Sequence, residues 1–217
     1  MFDQKIKTEI ETATKNILTN NKLVLTAQNG HLTKDLVVRY VKNCLYAVRH
    51  TPIHLTKARD VAQVRGLAEL SAFMTDKFNE EIGHDAWAMN DLDALGAAQD
   101  IALDSDITQA NQLLMTWVGD LSTNHPLSYL AYITFVEYFT VLAAPPFLES
   151  LEKAGYPRSS LSVIALHEEL DKDHVVHDLG VIVDLVDTED KQLLFMNALQ
   201  KAAIMINDHL NELAEGA

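Results

Sequence analysis

Residues 161–186 read LSVIALHEELDKDHVVHDLGVIVDLV. The middle eleven, His167 to His177, hold three histidines and four acids between two aliphatic runs. Aliphatic residues three and four apart on both sides make this one helix rather than a loop. A helix turns roughly 100° per residue, so His167, Asp171 and His174 fall within about 60° of arc. They form a ladder on one face, and Asp178 extends it by a turn. Val163 and Leu170 share roughly that stripe, so the ladder is expected to face the core. Glu168, Glu169, Lys172 and Asp173 are expected to point to solvent. Buried imidazoles and carboxylates are costly unless paired or bound to a metal. A metal site, a polar core network and a solvated face are the alternatives.

The same periodicity runs through the rest of the chain. Helices are expected over about 3–19, 33–48, 53–95, 106–122, 127–154, 159–186 and 188–214. Thr33, Ser105 or Asp106, and Asp187 or Thr188 are suitable N-caps. The long third stretch should break near Gly66 and stop at Gly96, and Pro145-Pro146 should kink the fifth. No stretch alternates like a strand, and no shift in composition marks a boundary. The expectation is one all-α domain spanning 1–217, a bundle of about seven helices.

Composition narrows the function classes. The formal net charge is −14, with 17 basic residues among 31 acids, which argues against a nucleic-acid binder. The one cysteine, Cys44, excludes an intrachain disulfide and fits a reducing compartment. No signal peptide is visible at MFDQKIKTEIETATKNIL, and no apolar run approaches the roughly eighteen residues of a membrane span. A cytoplasmic protein is expected. Apolar helix faces would allow a homodimer.

Two further clusters join the ladder. NEEIGHDAWAMNDL, 79–92, contains Glu81-Ile82-Gly83-His84, a carboxylate and an imidazole one helical turn apart. That spacing places both on one metal in carboxylate-bridged bundles, although ExxH alone is common by chance. Gly83 would leave room for close approach, and Trp87 lies one turn on. In PLSYLAYITFVEYFTVLAAPP, 126–146, Glu137 is the only charged residue. A buried carboxylate there goes neutral, takes a hydrogen bond or finds a cation. The candidate metal ligands are therefore Glu81, His84, Glu137, His167, Asp171 and His174. Glu80, Asp85, His177 and Asp178 are secondary candidates as ligands or their supports. Nitrogen and oxygen donors without thiolate suit iron or manganese, with zinc also open. Six ligands suit two ions with a bridging carboxylate better than one ion with open positions. Phe135 and Tyr138, with Tyr132 and Phe139, are candidates to line a pocket, or simply to pack the core.

Taken together, the Glu/His pair, the lone glutamate and HxxxDxxH resemble the heme-oxygenase-like di-metal oxidases and oxygenases. EEIGHDAWAMNDLDALG resembles the branch described as iron-containing redox enzymes. The resemblance runs over essentially the whole chain in helix order. It implies a heme-oxygenase-like helical bundle and a non-heme centre of two Fe ions, with Mn possible in one site. It also implies activation of O2 to oxidise a small-molecule substrate, by N-oxygenation, desaturation or oxidative C–C cleavage. Glu81 and His84 match the first metal helix, Glu137 the lone glutamate, and His167, Asp171 and His174 the last metal helix. One position departs. Members often carry the first glutamate two turns ahead of the histidine, and here that residue is Lys77, so Glu81 or Glu80 must serve.

Four rivals are weaker. A heme oxygenase needs a proximal histidine near the N-terminus, and the first is His31 in NGHLTKD. A thiaminase-type hydrolase needs Cys44 as nucleophile. A ferritin-like iron protein would bring a second ExxH. A non-catalytic interaction or iron-binding protein on the same fold should show eroded ligands.

Overall fold

The computed structural model describes residues 1–99, 101 and 106–215. Its α-helices are α1 (Phe2–Asn20), α2 (Lys22–Gln28), α3 (Lys34–Val64), α4 (Ala68–Glu81) and α5 (Asp85–Ala94). They continue with α6 (Gln109–Asn124), α7 (Pro126–Lys153), a 3₁₀ turn at Arg158–Ser160, α8 (Ser162–Leu185) and α9 (Glu189–Glu215). No strand occurs among the described residues, so the all-α reading holds.

Differences from expectation have local causes. The expected gap between 48 and 53 does not exist, because α3 runs through Pro52. Proline removes one backbone donor and crowds the preceding turn. Hydroxyls occupy carbonyls around it: Thr51 donates to Ala47 O at 3.3 Å and Thr56 to Pro52 O at 2.8 Å. The stretch 53–95 breaks twice, at Gly66 (φ 72°) as expected and again at Gly83 (φ 92°). α6 begins at Gln109 with Thr108 as its cap, the hydroxyl accepting from Asn111 N. The alternative cap Ser105 lies outside the described residues. Thr33 and Thr188 cap as expected, accepting from Leu36 N and Lys191 N. α7 continues through Pro145 and Pro146.

The core follows the helical stripes. Phe2, Ile6, Ile10 and Ile17 bury one face of α1, and Leu70, Phe73 and Met74 one face of α4. Each fully buried aliphatic side chain contributes roughly 1.5–3 kcal/mol. α8 packs on α7, α7 on α9, and α3 on both α4 and α6. α7 is long and apolar enough to cross a membrane, yet 56% of its apolar window is buried inside the bundle. Its hydropathy is that of a central helix. α4, α7 and α8 thereby bring together the three clusters named above.

Candidate metal centre

α8 presents the ladder inward. Asp171 and Asp178 are 2% and 0% exposed, while His167 and His174 are partly buried. The stripe is narrower than expected, because Leu170 is 41% exposed. Glu168 is 7% exposed rather than solvated, since it pairs with Lys172 at 2.8 Å and Arg158 at 3.3 Å. His177 lies outside the ladder, its ring stacked on Phe73 and its Nδ1 3.3 Å from Asp178 Oδ1.

The ExxH pair does not lie on one helix. Glu81 ends α4, and His84 follows a turn in which Gly83 adopts positive φ. A Cβ on Gly83 would meet nothing within 4 Å. The glycine therefore supplies a backbone conformation, not clearance. The turn carries His84 back over Glu81, with His84 Nδ1 3.2 Å from Glu81 Oε2. His167 Nε2 lies 3.2 Å from His84 Nδ1 and 3.9 Å from Glu81 Oε2. Donor atoms of these three residues thus converge on one point.

Their surroundings set their states. His167 Nδ1 meets Val163 O at 2.5 Å. A carbonyl only accepts, so Nδ1 carries the proton and Nε2 turns its lone pair to the cluster when the ring is neutral. His84 stacks on Trp87 at 3.9 Å, and His167 meets the same indole edge-on at 5.3 Å. Burial opposes ionisation of Glu81, yet the His167 and His84 rings hold its carboxyl well below the usual range. Burial lowers the His167 pKa, but Glu81 reverses this and raises it.

A second group lies alongside. Glu81, Glu137 and His174 also bring ligand atoms together, so Glu81 belongs to both groups. His174 Nδ1 is 4.0 Å from Glu137 Oε1 and 3.3 Å from Asp171 Oδ1, and its Nε2 is 3.6 Å from Glu80 Oε2. Glu137 is 6% exposed and its Oε2 has no hydrogen-bond partner. Burial and the neighbouring Asp178 push its carboxyl up, and Lys77 opposes them. An orphaned buried oxygen beside nitrogen and oxygen donors is what a hard or borderline cation would satisfy. Asp85 does not join the cluster and faces Arg49 at 3.7 Å.

Sequence reasoning met Lys77 only as a departure from a pattern. In the structure it is 2% exposed, and its ammonium reaches Glu137 Oε1 at 2.9 Å, Glu80 Oε2 at 3.0 Å and Asp178 Oδ2 at 3.1 Å. Burial lowers its pKa, but Glu137 and Asp178 hold it above the ordinary lysine value, so the amine is charged. A signal existed. Leu70, Phe73, Met74 and Lys77 fall at i, i+3, i+4 and i+7, which places a lysine on the core stripe of α4.

The cluster opens on a cavity of about 240 Å³ with mostly apolar walls. Glu81, Glu137, His167 and Asp171 lie at its polar edge. Tyr129, Tyr132, Ile133, Val136 and Thr140 line it along the Glu137 stripe of α7. Phe135 and Tyr138 do not. Phe135 is turned well away from Glu137 and stacks on Phe139, while the Tyr138 hydroxyl donates to Glu11 on α1 at 2.9 Å. Of the four aromatic candidates, Tyr132 and Phe139 reach the cavity. Cys44 also lines it, but burial pushes its thiol up to about 12, leaving little thiolate for nucleophilic work.

No family model and no curated protein matches this chain. Solved structures do. A domain of unknown function from Shewanella denitrificans OS217, described as having a heme oxygenase-like fold, superposes with a TM-score of 0.86 at 17% identity, covering 98% of this chain and 91% of that one. A TenA homolog from Pseudomonas syringae pv. tomato DC3000 gives 0.82 at 13% identity, covering 99% and 93%. A CADD-like protein of unknown function from Nostoc punctiforme PCC 73102 gives 0.74 at 12% identity, covering 98% of each chain. At these identities the likeness establishes architecture alone: the chain has the heme oxygenase-like fold.

Proposed function

We propose that this chain is an O2-dependent non-heme iron oxidase or oxygenase acting on a small organic molecule. One observation carries the reading. Glu81, His84 and His167 form a two-histidine, one-carboxylate donor set, of which Glu81 and His167 line the edge of an apolar cavity. That set with open positions suits non-heme Fe(II) oxygenases. A second iron, which the sequence leads one to expect, would need Glu81, Glu137 and His174 to take an ion as well, with Asp171 beside His174. Manganese suits the same donors.

Bound iron would supply the reduction of dioxygen. The chain's own residues do the rest. The Val163 carbonyl fixes the His167 tautomer, so its Nε2 faces the cluster. Glu81 contributes a negative charge that the His167 and His84 rings favour. Tyr129, Tyr132, Ile133 and Val136 exclude water and hold the apolar body of a substrate against the polar edge. Two rivals lose support. Cys44 is a poor nucleophile, and His31 is exposed between α2 and α3, where it offers no buried ligand to a heme.

The test is anaerobic Fe(II) titration followed by oxygen exposure in a stopped-flow spectrometer, with His167→Ala alongside the parent. Stoichiometric iron and a rapid absorption change on oxygen exposure, both lost in the variant, are expected. No bound iron at saturating Fe(II) would overturn the reading and leave a polar core network.

A further inference from the structure

We propose that the ammonium group of Lys77 occupies the second cation position of this cluster, so that the chain holds a single metal ion, at Glu81, His84 and His167. The inference rests on the metal reading above and narrows it.

Within the second donor group, Glu137 already holds a cation. Glu137 and Asp178 are 6% and 0% exposed, and both meet the Lys77 ammonium within 3.1 Å. Glu80, nearer the surface, supplies a third oxygen at 3.0 Å. The Glu137 oxygen nearest the His174 ring nitrogen is Oε1, at 4.0 Å. That same oxygen accepts from Lys77 at 2.9 Å. A divalent ion drawing on His174 and on Glu137, by Oε1 or by the unpartnered Oε2, would share one carboxylate with an ammonium group, and two cations held so close repel strongly where water is excluded.

Lys77 is tied to this place, although its side chain also borders the cavity. It lies on the buried stripe of α4 with Leu70, Phe73 and Met74, and its Nζ stands 5.8 Å from the Phe73 ring centroid. Leaving the cluster for the mostly apolar cavity would cost Glu137 and Asp178 their ammonium, and Asp178 would keep only the His177 ring at 3.3 Å. The first donor group has no such competitor. None of the ion pairs of Lys77 is to Glu81, His84 or His167. Lysine brings charge but no change of oxidation state, so one metal would carry all the redox chemistry of the site.

Mn2+ serves as the probe. Parent, Lys77→Glu, Lys77→Met and Glu81→Ala chains are dialysed to equilibrium against Mn2+, then assayed for bound manganese and by electron paramagnetic resonance. The parent should bind about one ion per chain with the six-line spectrum of an isolated centre, and Lys77→Glu about two with a spin-coupled spectrum. Lys77→Met vacates the position without reversing its charge and should also gain a second, weaker ion. Glu81→Ala should lose the first. Two ions in the parent would overturn this inference and leave the metalloenzyme reading standing. No ion in the parent would overturn both. One ion in the parent and only one in the folded Lys77 variants would overturn the role given to Lys77. If Lys77→Glu fails to fold, the parent count and Lys77→Met decide the matter.

Discussion

Glu81 is the residue on which both donor groups converge. Glu81→Gln keeps its volume and removes its charge. Affinity for Fe(II) should fall by about 100-fold or more, beyond the 10–100-fold usual for a supporting residue. Anaerobic equilibrium titration measures it, and an unchanged affinity would remove Glu81 from the ligand set. Lys77 plays the opposite part. In the metal-free protein, Lys77→Met leaves Glu137 and Asp178 buried without their cation, at a cost of about 3–5 kcal/mol. Urea unfolding at neutral pH measures that loss, and added Mn2+ should restore stability as it binds. The ladder was legible in the sequence because His167, Asp171 and His174 are local, and the helical period alone sets their common face. The partners of Lys77 were not. Glu137 lies 60 residues away on another helix, and no local period encodes that meeting.

At the scale of elements, the α4–α5 junction matters most to the site. A continuous helix from 68 to 95 would put Glu81 and His84 on one face but would not fold His84 back over the Glu81 carboxylate. The break depends on Gly83, whose φ of 92° disfavours any side chain although space is open around it. Gly83→Ala should therefore cost about 1–3 kcal/mol through backbone conformation alone. It should also weaken metal binding by shifting His84, whereas Gly66→Ala, with φ 72° at the α3–α4 turn, should lower stability and spare metal affinity. Paired urea melts and Mn2+ titrations separate the two, and equal metal affinity in both variants would deny the junction its role. Gly83 was visible in the sequence, but a lone glycine in a periodic stretch reads equally as clearance or as a break. The gap expected between 48 and 53 erred in the other direction, since α3 runs through Pro52. A proline marks a helix boundary unless packing carries the helix through, and in α3 Leu45, His54 and Leu55 are buried on either side of it.

Across the whole molecule, helix order and fold were legible because nearly every segment repeats one period, and such segments form a bundle once their stripes are buried. The cavity was less so. Its walls combine α3, α4, α6, α7, α8 and α9, and whether an aromatic on α7 faces in depends on a rotation that only packing sets. Packing also sets the acid stability of the fold. His209, at the cavity wall, is driven down to about 3 by burial and by Arg39, and His54, beside Tyr129, to about 4 by burial, His50 and Lys57. An unfolded histidine titrates near 6.5. Between that value and the depressed folded values, the unfolded chain binds more protons than the native one. The share of stability that these two histidines contribute then falls as pH drops below about 6.5, until the folded pKa values are reached. Burial holds the Glu137 and Asp171 carboxyls above their ordinary values, and these two groups run the other way. The double variant His54→Gln, His209→Gln should therefore have a flatter Tm profile between pH 6.5 and 5 than the parent, whatever its absolute stability. Calorimetry across that window tests this. Parallel profiles would mean that neither histidine is held neutral by its burial.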